Sequence, residues 1–184
     1  MKREHPEATV RVWAEDEHRL GLHPVSRRVW IGPYDVLIAP YNWKFEWSWL
    51  AGFVEPTSGQ TYWWIVPRAN ADVFERILAD FAQHFQLSEQ QRVVLVVDQA
   101  RFHTSKRIVV PPGIDLLFLP PKSPELQPAE RLWPWVNEAI ANRVFESLDE
   151  LEKVIAQRCR LLLERTEFIR GLTSFHWWPD VLCT

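Results

Sequence analysis

Cysteine is nearly absent from this chain. Only Cys159 and Cys183 occur in 184 residues, far apart and in no CxxC pattern. That argues against a cysteine-ligated zinc site and a disulfide scaffold, and it fits a reducing cytoplasm. Positive charge is also scarce: 21 Lys and Arg against 24 Asp and Glu give a net charge of -3. Nucleic-acid-binding domains are usually basic, so this balance counts against such a partner. A cluster of acidic metal ligands would lower the formal charge, bound cations would offset it, and a separate basic domain would supply affinity. No apolar run approaches the length of a membrane span, and the N-terminus, MKREHPEATV, lacks the apolar core of a signal peptide. No membrane association is expected. There is no internal repeat and no low-complexity tract. What remains is an ordinary globular composition, 47% hydrophobic and 24% charged, of a length that suits one domain with a sizeable core. The eleven tryptophans, several alternating in strand-like segments, read as core or half-exposed sheet residues.

Residues 1–9 are polar and read as a tail or linker. Val10, Val12 and Ala14 alternate with Thr9, Arg11 and Trp13, which predicts a strand ending near Glu15-Asp16-Glu17. A loop follows, with an extended piece around Arg28-Val29-Trp30. The segments DVLIAP (35–40) and FEWSWLAGFVE (45–55) are strand-rich, and Pro56-Thr57-Ser58-Gly59 is a turn leading into TYWWIVPR, the return strand of a hairpin. From Asn70 to Gln86 the period becomes helical, with Asn70 or Asp72 as cap. Arg92–Val97 is a continuous apolar run of the kind buried on both faces of a sheet. A short helix over 101–109, a stop at Pro111-Pro112-Gly113 and a buried strand over 114–119 follow. Leu126, Ala129, Leu132, Trp133, Val136 and Ile140 then fall on one helical stripe, with Glu130 beside it. Pro134 should disturb the carbonyl of residue 130, so that helix is either kinked or begins at Pro134. A last helix starts at Ser147, and the aromatic tail packs back on the body. The hairpin implies antiparallel pairing and the later strand–helix–strand unit parallel pairing. The expected fold class is α/β, a mixed central sheet of about five strands with helices on both faces.

Three carboxylates stand at informative places. Asp98 ends a buried strand, the edge at which open α/β sheets bind ligands, although a residue capping the next helix would look the same. Asp16 also follows a strand, where a solvated acidic turn is the simpler reading. Glu130 alone reads as an exposed glutamate near a helix start. Together, acids from two strands and a helix would form an oxygen-rich site suited to magnesium or manganese.

The segments VVLVVDQARFHTS and LLFLPPKSPELQPAERLW resemble the catalytic core of DDE transposases, and more closely the bacterial insertion-sequence branch of the mariner-like superfamily. There the second Asp opens a D-N-A-x-x-H-like motif and the third acid closes an S-P-x-L-N-P-x-E motif. VWAEDEHRLGLHP with RRVW is similar to the first catalytic Asp segment, and WLAGFVEPTSGQTYWWIV to the hairpin after it. The resemblance runs from about Val10 to Ile155, with Gln99 and Gln127 standing where asparagine is common. It implies an RNase H-like fold over 10–184. It implies a catalytic, metal-binding triad of Asp16, Asp98 and Glu130 holding two Mg2+ or Mn2+ ions, with Glu15, Glu17 and Glu125 as acidic neighbours outside that set. The implied substrate is double-stranded DNA, at element ends and target, bound as a homodimer in a bacterial, nucleoid-associated setting. Arg101, His103, Lys122 and Arg131 are candidate DNA contacts, with His103 alternatively orienting a ligand or holding the turn. The family's helix-turn-helix domain has no room before residue 10. This implies a split gene with an upstream partner or fused product, or a truncated copy. The rival readings are an inactive remnant serving as an interaction module and a general RNase H-like nuclease.

Overall fold

The sheet is built outward from its longest strand. In the computed structural model, which describes residues 7–36, 38, 41–176 and 178, β1 spans Thr9–Gly21, β2 Trp47–Glu55, β3 Gln60–Val66, β4 Gln91–Val97 and β5 Ile114–Phe118, in the order β3-β2-β1-β4-β5. β1 pairs antiparallel with β2, and β2 with β3. On its other side β1 pairs parallel with β4, and β4 with β5. The mixed five-stranded sheet is as expected from the sequence.

Period-two alternation in β1 divides the core. Val12, Ala14 and Leu20 join Ala129, Leu132, Trp133, Leu151, Ile155 and Ile169 on one face. Trp13 packs on the other face with Phe74, Ile77, Leu78 and Phe81 of α1 (Ala71–His84). Asn70 caps α1 by accepting a hydrogen bond from the Val73 amide at 2.9 Å. The first face carries α2 (Trp133–Glu138), α3 (Leu148–Leu163, capped by Ser147) and α4 (Thr166–Thr173). Helices thus cover both faces. The tail expectation is met at Trp178, which is buried in the first cluster; residues 179–184 lie outside the described residues, as do residues 1–6.

Four expectations are corrected. β1 does not end at Glu15–Glu17: it runs on to Gly21, because β2 pairs with it from Ala14↔Val54 to Gly21↔Trp47. Arg28–Trp30 and the described part of 35–40 (Asp35, Val36 and Ile38) lie in no strand; Leu37, Ala39 and Pro40 lie outside the described residues. The helix over 101–109 is a set of turns, after which Ile108 and Val110 pack against the α1 side. Finally, the stripe from Leu126 to Ile140 is not a kinked helix; the alternative, a helix that begins at Pro134, is close to what is found. Prolines divide the stripe into 3-10 segments at Pro124–Leu126 and Pro128–Leu132, followed by α2. Pro134 sits in the first turn of α2, where its missing N–H is not needed. Glu130 therefore lies upstream of the helix that Pro134 opens.

Candidate active site

Asp16 sits on the α2–α4 face of β1, directly opposite Gly52 of β2. A Cβ at residue 52 would stand 2.7 Å from Trp133 and 2.9 Å from Trp63. The absence of a side chain there lets the Trp133 indole lie over the sheet. From that position the indole N–H donates to Asp16 Oδ2 at 2.9 Å, and the ring stacks on His18 at 5.0 Å. His18 Nε2 in turn meets Asn137 Oδ1 of α2 at 2.9 Å.

Asp98 follows β4 immediately. The Ala100 amide donates to its Oδ1 at 2.8 Å, and His103 Nδ1 lies 2.7 Å from the same oxygen. Glu130, on the Pro128–Leu132 segment, is exposed beside buried Ala129 and Leu132. Asp16, Asp98 and Glu130 line one cavity of about 340 Å³, together with Gln99, Leu119, Lys122, Ser123 and Gln127. Three separate elements thus bring the three sequence-nominated acids to one place.

The electrostatics of the three differ. Burial pushes the Asp16 carboxyl up to about 7, against the indole hydrogen bond and with a further upward push from Glu130. Burial also raises Glu130, helped by the charge of Asp98. Asp98 is held below the usual carboxylate range by the His103 hydrogen bond. Mutual repulsion among carboxylates at one cavity is the condition that a bound cation relieves. An all-oxygen donor set fits magnesium or manganese. Among the described residues, the ligand atoms of the triad do not all lie within 4.8 Å of one another. Among the described residues, the group whose ligand atoms all fall within 4.8 Å is instead Glu15, Glu17 and His103.

Of the nominated cations, Lys122 lines the cavity, with a left-handed backbone at φ 58°. Arg131 turns to the Phe175 ring, 5.2 Å away, and is not part of the lining; Arg101 is exposed and also outside it. The His103 side chain is fully buried, and its Nδ1 faces Asp98 Oδ1 rather than the cavity lining.

Two glutamines do more than the sequence disclosed. Gln127 Nε2 donates to the Glu15 carbonyl at 2.9 Å, tying the Glu130 segment to β1 beside Asp16. Gln99 Nε2 donates to the Leu119 carbonyl at 2.8 Å, joining the ends of β4 and β5. The only sequence signal for either was its place in a motif where asparagine is common.

The sequence profile of the DDE superfamily endonucleases matches residues 11–152. The chain belongs to that family. An uncharacterized protein of Sinorhizobium fredii, y4pE/y4sA, is 31% identical over 106 residues, covering 57% of this chain and 77% of the relative. Among solved structures, the Mos1 mariner paired-end complex with Mn superposes with a TM-score of 0.60 at 17% identity, over 90% of this chain. The separate catalytic domain of Mos1 mariner transposase gives 0.53 at 16% identity, over 91% of this chain and 84% of that one. At such identity the likeness speaks for the fold: this DDE endonuclease domain has the RNase H-like architecture of the mariner catalytic domain. The chain spans 56% of the Mos1 chain in the paired-end complex. Among the described residues no helix of the domain is long and apolar enough to cross a membrane.

Proposed function

We propose that this domain is the catalytic domain of a transposase that cuts DNA strands at element ends and joins them to a target. The carrying observation is the convergence of Asp16, Asp98 and Glu130 on one cavity in a chain of the DDE endonuclease family. These three residues would hold Mg2+ or Mn2+, and two such ions, when bound, lower the pKa of an attacking water and stabilise the leaving oxygen. The chain's own residues prepare the site. Trp133 orients Asp16 through Oδ2. Ala100 and His103 both take Asp98 Oδ1, so that its second oxygen is the one turned to other use. Lys122 lines the cavity wall and would meet a backbone phosphate.

In this reading the chain from β1 onward is the catalytic unit, and the residues before Thr9 are a tail or linker. The substrate is double-stranded DNA in a bacterial cytoplasm, at the nucleoid. The domain acts as a homodimer, with a helix-turn-helix partner or fused segment supplying the basic surface that a net charge of -3 does not.

The test is magnesium-dependent strand cleavage by the purified chain and its Asp98→Asn and Glu130→Gln variants. Both variants should fold and lose cleavage by about a thousandfold or more, the scale of removing a group that acts in the transition state. Cleavage unchanged in either variant overturns the assignment. Cleavage confined to RNA–DNA hybrids would replace it with a general RNase H-like nuclease.

A further inference from the structure

The opposite face of β1 carries a second set of metal-ligating side chains. Glu15 and Glu17 flank Asp16 in sequence, so alternation turns both away from Trp133 and toward α1. There they meet His103, whose ring packs at 4.4 Å from both Phe74 and Phe102. His103 Nε2 lies 3.2 Å from Glu17 Oε1 and 3.5 Å from Glu15 Oε2. The side chains of Glu15 and His103 are fully buried, and that of Glu17 is 8% exposed.

Glu15 is the decisive residue. Neither of its carboxylate oxygens has a hydrogen-bond partner. Its ion pair with His103 Nε2 carries no hydrogen bond, and a buried carboxylate so weakly paired either takes up a proton or coordinates a metal. The contact at 3.5 Å is too long to serve as a hydrogen bond. One histidine ring also has a single Nε2 to share between two carboxylates. The distances suit a different occupant. With bonds of 2.0–2.1 Å in a tetrahedral shell, neighbouring ligand atoms stand about 3.3 Å apart. The two observed separations bracket that value, and the three ligand atoms lie within 4.8 Å of one another.

We propose that Glu15, Glu17 and His103 form a buried structural site for one divalent first-row transition ion. A donor set of one imidazole and two carboxylates favours zinc or manganese over magnesium, which prefers oxygen and retains its water. Ligation through Nε2 leaves the proton on Nδ1, which then donates to Asp98 Oδ1. A histidine that binds metal through one nitrogen and donates to a carboxylate through the other is a recurrent arrangement. Here it joins the buried site to the strand end that presents Asp98. The site stands whether or not Asp16, Asp98 and Glu130 hold ions.

Zinc binding to an Asp16→Asn/Glu130→Gln chain separates the two sites. Titration calorimetry and elemental analysis should find one Zn2+ per chain, and millimolar Mg2+ should not displace it. X-ray absorption at the zinc edge should show one imidazole in the shell. Adding the isosteric Glu15→Gln should weaken binding at least a hundredfold. Absence of retained zinc, a shell without imidazole, or an affinity unchanged by Glu15→Gln would overturn the proposal. If Glu15→Gln does not fold, the absorption spectrum of the Asp16→Asn/Glu130→Gln chain still decides it. Loss of DNA cleavage in that chain bears only on the function proposed above.

Discussion

Asp16 and Asp98 line the same cavity from neighbouring strands, yet their surroundings push them in opposite directions. Asp16 lies mid-strand under an indole, on a face that buries it, and is raised to about 7. Asp98 lies just past a strand end, half exposed, and is lowered by a histidine it faces directly. Position along a strand thus decides how easily an acid ionises. The sequence places an aspartate next to glutamates in the first case and next to glutamine in the second. Neither neighbour sets the direction of the shift; burial and a residue five positions away do.

That contrast can be broken from either side. The largest effect is expected from Gly52→Ala, which pushes a methyl group into Trp133 and so moves the wall over Asp16. Displacing a catalytic group by about 1 Å can cost on the order of a hundredfold in rate, so cleavage by this variant should fall by that order. Thermal melting should shift far less than the activity. On the Asp98 side, His103→Asn removes the imidazole that holds Oδ1. Loss of such a supporting partner typically costs roughly 10–100-fold, to be read in the Mg2+ concentration dependence of cleavage.

The pH dependence separates the two acids more finely. Because Asp16 is raised, the folded chain favours its protonated form. Its stabilising contribution without metal is full below the ordinary value of 3.8 and is lost as pH rises through about 7. Asp98 has the opposite sign: its contribution is present above the ordinary carboxylate value and is lost as pH falls through its depressed one. Mn2+ binding should therefore tighten between pH 6 and 8 and release a proton, measured by calorimetry in buffers of different ionisation enthalpy. Asp16→Asn should abolish that release. The smallest effect is expected from Trp133→Phe, which keeps the ring but removes the N–H donor. At about 1 kcal/mol for the lost hydrogen bond, the midpoint of the pH profile should move up by somewhat less than one unit.

The parts of the molecule legible in the sequence were those with local patterns. The apolar run of β4, the helical period of α1 and the motif around Glu130 all read directly, while the cap of α1 stays open between Asn70 and Asp72. β1 was read short because Asp16 and Glu17 look like a turn, and only the distant partner β2 carries the strand past them. The sequence leaves the stripe from Leu126 to Ile140 open between a kinked helix and one beginning at Pro134, because 3-10 turns also bring apolar residues round every third position. The candidate acids could be named, since each ends or follows a recognisable motif. What holds them could not, because His103 with Glu15, Gln127 with the Glu15 carbonyl, and Trp133 with Asp16 are pairings across 88 residues or more. The burial of Glu15 is invisible in a run of three acidic residues that reads as solvent-facing.

The division at Pro134 also bears on which insertions the gene can tolerate. Between Asp98 and Pro128 the chain passes through turns, a short strand and exposed prolines. Slack there is confined to the turns around 104–107, because His103 holds Asp98, Gln99 holds the Leu119 carbonyl and β5 pairs with β4. Between Glu130 and Trp133 there is no such slack. The acid and the indole that orients Asp16 are three residues apart, on a 3-10 turn that runs straight into α2. One residue inserted there would rotate Glu130 by roughly a third of a turn relative to the ring. Homologous chains should therefore keep the interval from the third acid to this tryptophan constant.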